Sequence, residues 1–223
     1  IDFLKNNDEY DTKFYKVGDG IAITKVITVQ PAEQTGFEFA DKTPADITYN
    51  DNENKYKNEA TGGQSSADVV YEITAGAGVA TIDASSGELS IQKAGTVTVK
   101  ATRAADDKYK AITAEYTLTI KKADQEIAFE NGTTINVNYG ILTYSNLAES
   151  VGTLYGTKTI TYKVTSGNDI ATIDATGLIT FVDKKVGTVT IKATKEEDEC
   201  YNACSAEYTL NVAYLETPST THT

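Results

Sequence analysis

Apolar and polar residues alternate along several short segments of this chain. In Gly95-Thr-Val-Thr-Val-Lys-Ala-Thr102, the side chains of Val97, Val99 and Ala101 fall on one face, and those of Thr96, Thr98, Lys100 and Thr102 on the other. Further along, Tyr116, Leu118 and Ile120 share a face, with Glu115, Thr117 and Thr119 opposite. A strand turns successive side chains to opposite sides, so a period of two in β-branched and aromatic residues predicts strands with one buried face. No segment of useful length shows helical periodicity. The breaks fit the same picture. Asp83-Ala-Ser-Ser-Gly87 and Asp174-Ala-Thr-Gly177 read as turns, in which the Asp side chain accepts from the backbone ahead and Gly takes a positive φ.

The pattern repeats. Gly95-Thr-Val-Thr-Val-Lys-Ala-Thr102 returns as Gly187-Thr-Val-Thr-Ile-Lys-Ala-Thr194, and Ala114-Glu-Tyr-Thr-Leu118 returns unchanged as Ala206-Glu-Tyr-Thr-Leu210. Val79-Ala-Thr-Ile-Asp83 matches Ile170-Ala-Thr-Ile-Asp174, and Val69-Val-Tyr-Glu-Ile73 matches Ile160-Thr-Tyr-Lys-Val164, in the same order. Lys122-Ala-Asp-Gln125 opens the second copy as Pro31-Ala-Glu-Gln34 opens the first. The units therefore run over 31–122 and 123–215, with 216–223 a tail. Residues 1–30 read as the C-terminal hairpin of a preceding repeat or as an N-terminal extension that adds a strand to the first full domain. About seven short strands per unit suggest a two-sheet sandwich. The predicted class is all-β, with tandem immunoglobulin-like β-sandwich domains.

The blocks Ile170-Ala-Thr-Ile-Asp174, the Gly turn after it, Gly187-Thr-Val-Thr-Ile-Lys-Ala-Thr194 and the acidic loop ending in Tyr201 resemble the bacterial Ig-like group 2 repeat. That repeat occurs in invasin- and intimin-type adhesins and in surface proteins of gut Bacteroidetes. The resemblance spans nearly all of 31–214, with 45–68 and 131–158 matching poorly. It implies an extracellular tandem sandwich at a bacterial cell surface, serving as a stalk or adhesive module. It brings no catalytic residues.

Composition narrows the chemistry. The net charge is -12, with acidic residues spread throughout. Such a surface repels nucleic acid and anionic lipid. No apolar run is long enough to insert directly in a membrane. The chain opens at Ile1-Asp-Phe-Leu4 inside folded-looking sequence and is expected to be a trimmed fragment. The single histidine, His222, sits in the tail, so a Ser-His-Asp or Cys-His arrangement is not expected in the body, nor is a zinc site or a cofactor. Asp106-Asp107 and Glu196-Glu-Asp-Glu199 occupy equivalent loops, but the spacing of a calcium loop is missing and they read as solvated acid. The chain is read as a monomer without enzymatic activity.

Tyrosines and cysteines remain. Tyr71, Tyr116, Tyr162 and Tyr208 lie at equivalent apolar positions and are expected in the core, while Tyr109 and Tyr201 are expected to pin the hairpin after the acidic loop. Tyr49, Tyr56, Tyr139, Tyr144 and Tyr155 fall in the variable polar stretches. Exposed loop aromatics there would suit a face that stacks on sugar rings. Two functions stand open on this reading: a structural or adhesive repeat whose partners are neighbouring repeats and a host or glycan ligand, and a carbohydrate-binding accessory module of a surface glycan-uptake system. Cys200 and Cys204 flank the last turn and align with Lys108 and Ile112. A local disulfide is expected if opposite hairpin arms bring them together. The alternative is two reduced thiols.

Overall fold

The computed structural model describes residues 10–17 and 20–27 by their backbone pairing and residues 29–214 in full. The expected tail over 216–223, with His222, lies outside the described residues. Strands β1 (Tyr10–Val17) and β2 (Gly20–Ile27) form an antiparallel hairpin, Tyr10 opposite Ile27 and Val17 opposite Gly20. Among the described residues the hairpin is a two-stranded sheet of its own.

Nine strands follow in the first repeat. They are β3 (Glu38–Phe39), β4 (Ile47–Thr48), β5 (Lys55–Lys57), β6 (Ala60–Thr61), β7 (Val69–Ala75), β8 (Ala80–Ile82), β9 (Glu88–Ile91), β10 (Gly95–Arg103) and β11 (Ile112–Lys121). The second repeat has the same nine: β12 (Ile127–Phe129), β13 (Thr134–Asn138), β14 (Thr143–Ser145), β15 (Ala148–Ser150), β16 (Ile160–Ser166), β17 (Ala171–Ile173), β18 (Leu178–Phe181), β19 (Gly187–Lys195) and β20 (Cys204–Ala213).

Both repeats use one topology. A four-stranded sheet runs β4-β11-β10-β7 in the first and β13-β20-β19-β16 in the second. The facing sheet is β5-β9-β8 in the first and β14-β18-β17 in the second, with β3-β6 and β12-β15 as short additional pairs. The strand before the crossover joins the last strand in parallel: β4 pairs β11 over two residues, and β13 pairs β20 from Thr134 opposite Thr209 to Asn138 opposite Ala213. These are Ig-like β-sandwiches.

Every strand ladder lies wholly before or wholly after Lys122. Compactness draws the line differently: of the described residues, one unit holds those up to 45 with 55–90 and 96–118, and the other holds 46–54, 91–95 and 119–214.

The inward register follows the alternation. Val97, Val99 and Ala101 are buried, as are Tyr116, Leu118 and Ile120. In the second repeat Val189, Ile191 and Ala193 meet Tyr208, Leu210 and Val212 in one core, with Ile127, Phe129, Ala171 and Ile179. The aromatic packing is duplicated. Phe39 stands edge-on to Tyr116 at 4.6 Å, and Phe129 to Tyr208 at 4.4 Å. The hydroxyl of Tyr71 accepts from the Ala60 N–H at 3.2 Å, and that of Tyr162 from the Ala148 N–H at 3.1 Å. The turns form as expected: Gly87 and Gly177 hold φ of 73° and 84°, and Asp83 and Asp174 accept from Ser85 and Thr176. The Ser85 hydroxyl first, and then the backbone N–H groups, hold the Asp83 carboxyl far below the usual carboxylate range.

Candidate functional site

The most organised polar cluster is a corner built in each repeat where the chain enters the sandwich. In the second repeat Asp198 sits in the loop between β19 and β20. Its Oδ1 accepts the N–H groups of Cys200 and Tyr201 at 2.8 and 2.9 Å, and its Oδ2 accepts that of Thr157 at 2.9 Å. The Asp198 N–H donates to the Tyr201 carbonyl at 3.0 Å, closing the loop. Tyr201 then bridges in parallel to Ala123, the Ala123 N–H donating to the Cys200 carbonyl and the Asn202 N–H to the Ala123 carbonyl. Two residues on, buried Gln125 donates to the Asn202 carbonyl at 2.7 Å and accepts the Gly156 N–H at 3.0 Å.

The first repeat builds the same corner from Asp106, Tyr109, Ala32 and Gln34. Asp106 accepts from Lys108 and Tyr109 on Oδ1 and from Ser66 on Oδ2, all at 2.9 Å. Gln34 donates to the Lys110 carbonyl at 2.6 Å and accepts the N–H groups of Gln64 and Ser65 at 2.9 Å. The paired sequence blocks Ala-x-Gln and Asp-x-x-Tyr are thus two halves of one joint. The Ser66 N–H, then that of Lys108, holds the Asp106 carboxyl below the usual range. At Asp198 desolvation works the other way, but the donors from Cys200, Thr157 and Tyr201 outweigh it and its pKa is also lowered. These carboxylates are acceptors committed to the backbone.

Beside the Asp198 corner lies an open groove of about 630 Å³, lined by Lys122, Thr157, Lys158 and the stretch 197–200. Lys122 pairs with Glu197 across it at 2.8 Å. The matching depression beside Asp106 is smaller, about 210 Å³, with Gln64, Ser66 and Lys108 on its walls.

The five loop tyrosines differ in their surroundings, and four of them are partly buried. Tyr56 lies on β5 and packs against Tyr116 at 6.2 Å, and Tyr144 lies on β14 against the second core. Tyr49, in the second compact unit, meets the ring of buried Tyr201 edge-on at 5.6 Å, and burial pushes its phenol up to about 12. Tyr139 packs on Tyr214 at 4.7 Å and donates to Asp183 at 3.1 Å. Tyr155 alone of the five is exposed, at 46%. The ammonium of Lys195 lies 4.5 Å from its ring centroid. Lys195 itself is 3% exposed and donates to Ser150 at 2.8 Å.

The expected disulfide is not formed: Cys200 and Cys204 are both free thiols. The bond needed the two to oppose each other on the hairpin arms. Lys195 holds the position opposite Cys204, while Cys200 stays in the loop, its thiol donating to the Gln92 carbonyl at 3.7 Å. Burial raises the pKa of the Cys204 thiol.

The sequence marked Ala-Asp-Gln only as a boundary. The role of Gln34 and Gln125 was missed, because a buried polar residue breaks no alternation. Its signal was the recurrence of Gln in both copies together with the Asp-x-x-Tyr loop.

No family model matches the chain, and no curated protein sequence matches it. Among solved structures it is similar to mouse cadherin-23 repeats EC22–24, at 13% identity and TM-score 0.36, over 89% of this chain and 72% of that one. It is similar to human protocadherin-24 EC1–2, at 15% identity and TM-score 0.32, over 82% of this chain and 100% of that one. It is also similar to a SusE-like surface-located polysaccharide-binding protein from the heparin utilisation locus of Bacteroides thetaiotaomicron. There the identity is 19% and the TM-score 0.30, over 81% of this chain and 34% of that one.

Proposed function

We propose that this chain is a non-enzymatic Ig-like repeat segment of an extracellular protein at a bacterial cell surface, akin to the bacterial Ig-like group 2 repeats. It serves as a structural stalk or adhesion module, with neighbouring repeats as its partners. The observation that supports this reading is the twice-built corner, in which Ala-x-Gln at the entry of each sandwich is hydrogen-bonded to the Asp-x-x-Tyr loop before its last strand. Residues that recur between the copies are spent on locking the scaffold. A second reading, carbohydrate binding, draws on exposed Tyr155, whose sequence neighbour Thr157 lines the polar groove.

Two measurements test the pair. Protease shaving of intact producing cells should release peptides of this chain; full protection until lysis would refute the surface assignment. A glycan array with the intact chain should be blank on the stalk reading. A signal that disappears in Tyr155→Ala would move the assignment to glycan binding.

A further inference from the structure

The two repeats differ along one sheet edge. On β7, the Tyr71 N–H donates to the Ala84 carbonyl at 2.9 Å, in the turn 83–87, and so closes part of that edge. The matching turn of the second repeat is one residue shorter, Asp174-Ala-Thr-Gly177. Among the described residues, no bond joins the Tyr162 N–H of β16 to that turn. β16 is the edge of its four-stranded sheet, and β17 is the edge of the facing sheet. Between them runs an open groove of about 320 Å³ whose walls include Tyr162, Lys163, Val164, Ala171 and Ile173.

Charge changes at the same place. In the first repeat Glu72 on β7 and Lys100 on β10 face each other and pair at 2.5 Å. In the second, both positions are lysine: Lys163 lies directly opposite Lys192. Like charges facing each other across a ladder repel. Glu207 on β20 lies opposite Lys192 on its other side, but among the described residues neither ammonium makes an ion pair within 4 Å, and Lys163 at the edge has no acidic residue opposite it.

We propose that the β16 edge is a strand-addition site for an extended, acidic peptide segment of another protein. An unpaired strand edge offers backbone groups that a second chain can complete. Here the peptide backbone accepts from the Tyr162 N–H, its carboxylates lie against Lys163 and Lys192, and an apolar side chain enters the groove against Val164 and Ala171. The paired lysines give selectivity. They admit an acidic strand and reject a basic one, which also protects the edge from indiscriminate pairing. This inference does not rest on the stalk assignment.

The test uses the whole chain and an acetylated, fluorescently labelled peptide of alternating glutamate and valine. Its counterpart of alternating lysine and valine is the control. The acidic peptide should bind saturably and weaken as salt rises. Lys163→Glu, which restores the Glu–Lys pair of the first repeat, should weaken it by about fivefold. In the free chain the Tyr162 amide should exchange with solvent faster than that of Tyr71, and slow when the acidic peptide is added. Inserting Ser before Gly177 rebuilds the longer turn and should both protect the Tyr162 amide and abolish binding. Equal protection of Tyr162 and Tyr71 in the free chain would overturn the open edge. No binding of the acidic peptide, or equal binding of the basic one, would overturn the site. Self-association lost in Lys163→Glu would assign the edge to a second copy of the chain and overturn the partner.

Discussion

At the scale of single residues, the alternation makes a sharp demand on which face each side chain takes. Val99 and Ile191 are 1% and 0% exposed, while Thr98 beside Val99 reaches the outer face and meets Thr117 at 3.2 Å. Placing an unpaired carboxylate at Val99 costs several kcal/mol, a large part of the stability of a small domain. Val99→Asp should therefore abolish the thermal transition of its own repeat, and Thr98→Asp should lower the melting temperature only slightly. Equal losses would mean that the register is inverted. The corner aspartates carry a pH signature. Asp106 and Asp198 have folded pKa values below the usual range, so below about pH 4 the unfolded chain binds more protons than the folded one. Their contribution is present above that pH and is lost as pH falls through the folded values. In melting curves over acidic pH, Asp198→Asn should flatten the dependence for the second repeat; an unchanged slope would remove Asp198 from the acid response.

At the scale of elements, legibility followed strand length. The strands β10, β11, β19 and β20 are nine or ten residues long, enough for several alternations, and their faces were read correctly. Strands of two or three residues, such as β5 and β14, hold too few positions to show a period. Tyr56 and Tyr144 were therefore read as loop aromatics, although each side chain turns inward from such a strand. Buried polar residues were invisible for a different reason. Asn58 and Gln125 sit where alternation expects nothing in particular, and each is satisfied by backbone groups of a distant segment. Removing one leaves those groups without partners, at roughly 1–3 kcal/mol. Gln125→Ala should lower the denaturant midpoint of the second repeat by a matching amount and speed exchange of the Gly156 amide. A midpoint identical to that of the parent would show that the joint adds no stability.

At the scale of the whole chain, the doubled topology predicts that 29–122 and 123–214 can each fold, because no ladder crosses between them. Separately expressed halves should each unfold cooperatively. Loss of cooperativity in the first half alone would point to 46–54 and 91–95, which group with the second compact unit. The parallel pairing of the last strand has a further, mechanical consequence. When a sandwich is stretched from its ends, hydrogen bonds lying across the pull are sheared together, and a longer ladder resists more. The second repeat has five residue pairs between β13 and β20, whereas the first has two between β4 and β11. Under tension the first repeat should yield at lower force, acting as an extensible shock absorber while the second stays shut. Single-molecule stretching should resolve two unfolding events of unequal force, and shortening the β13 ladder with Val137→Pro should bring the higher one down.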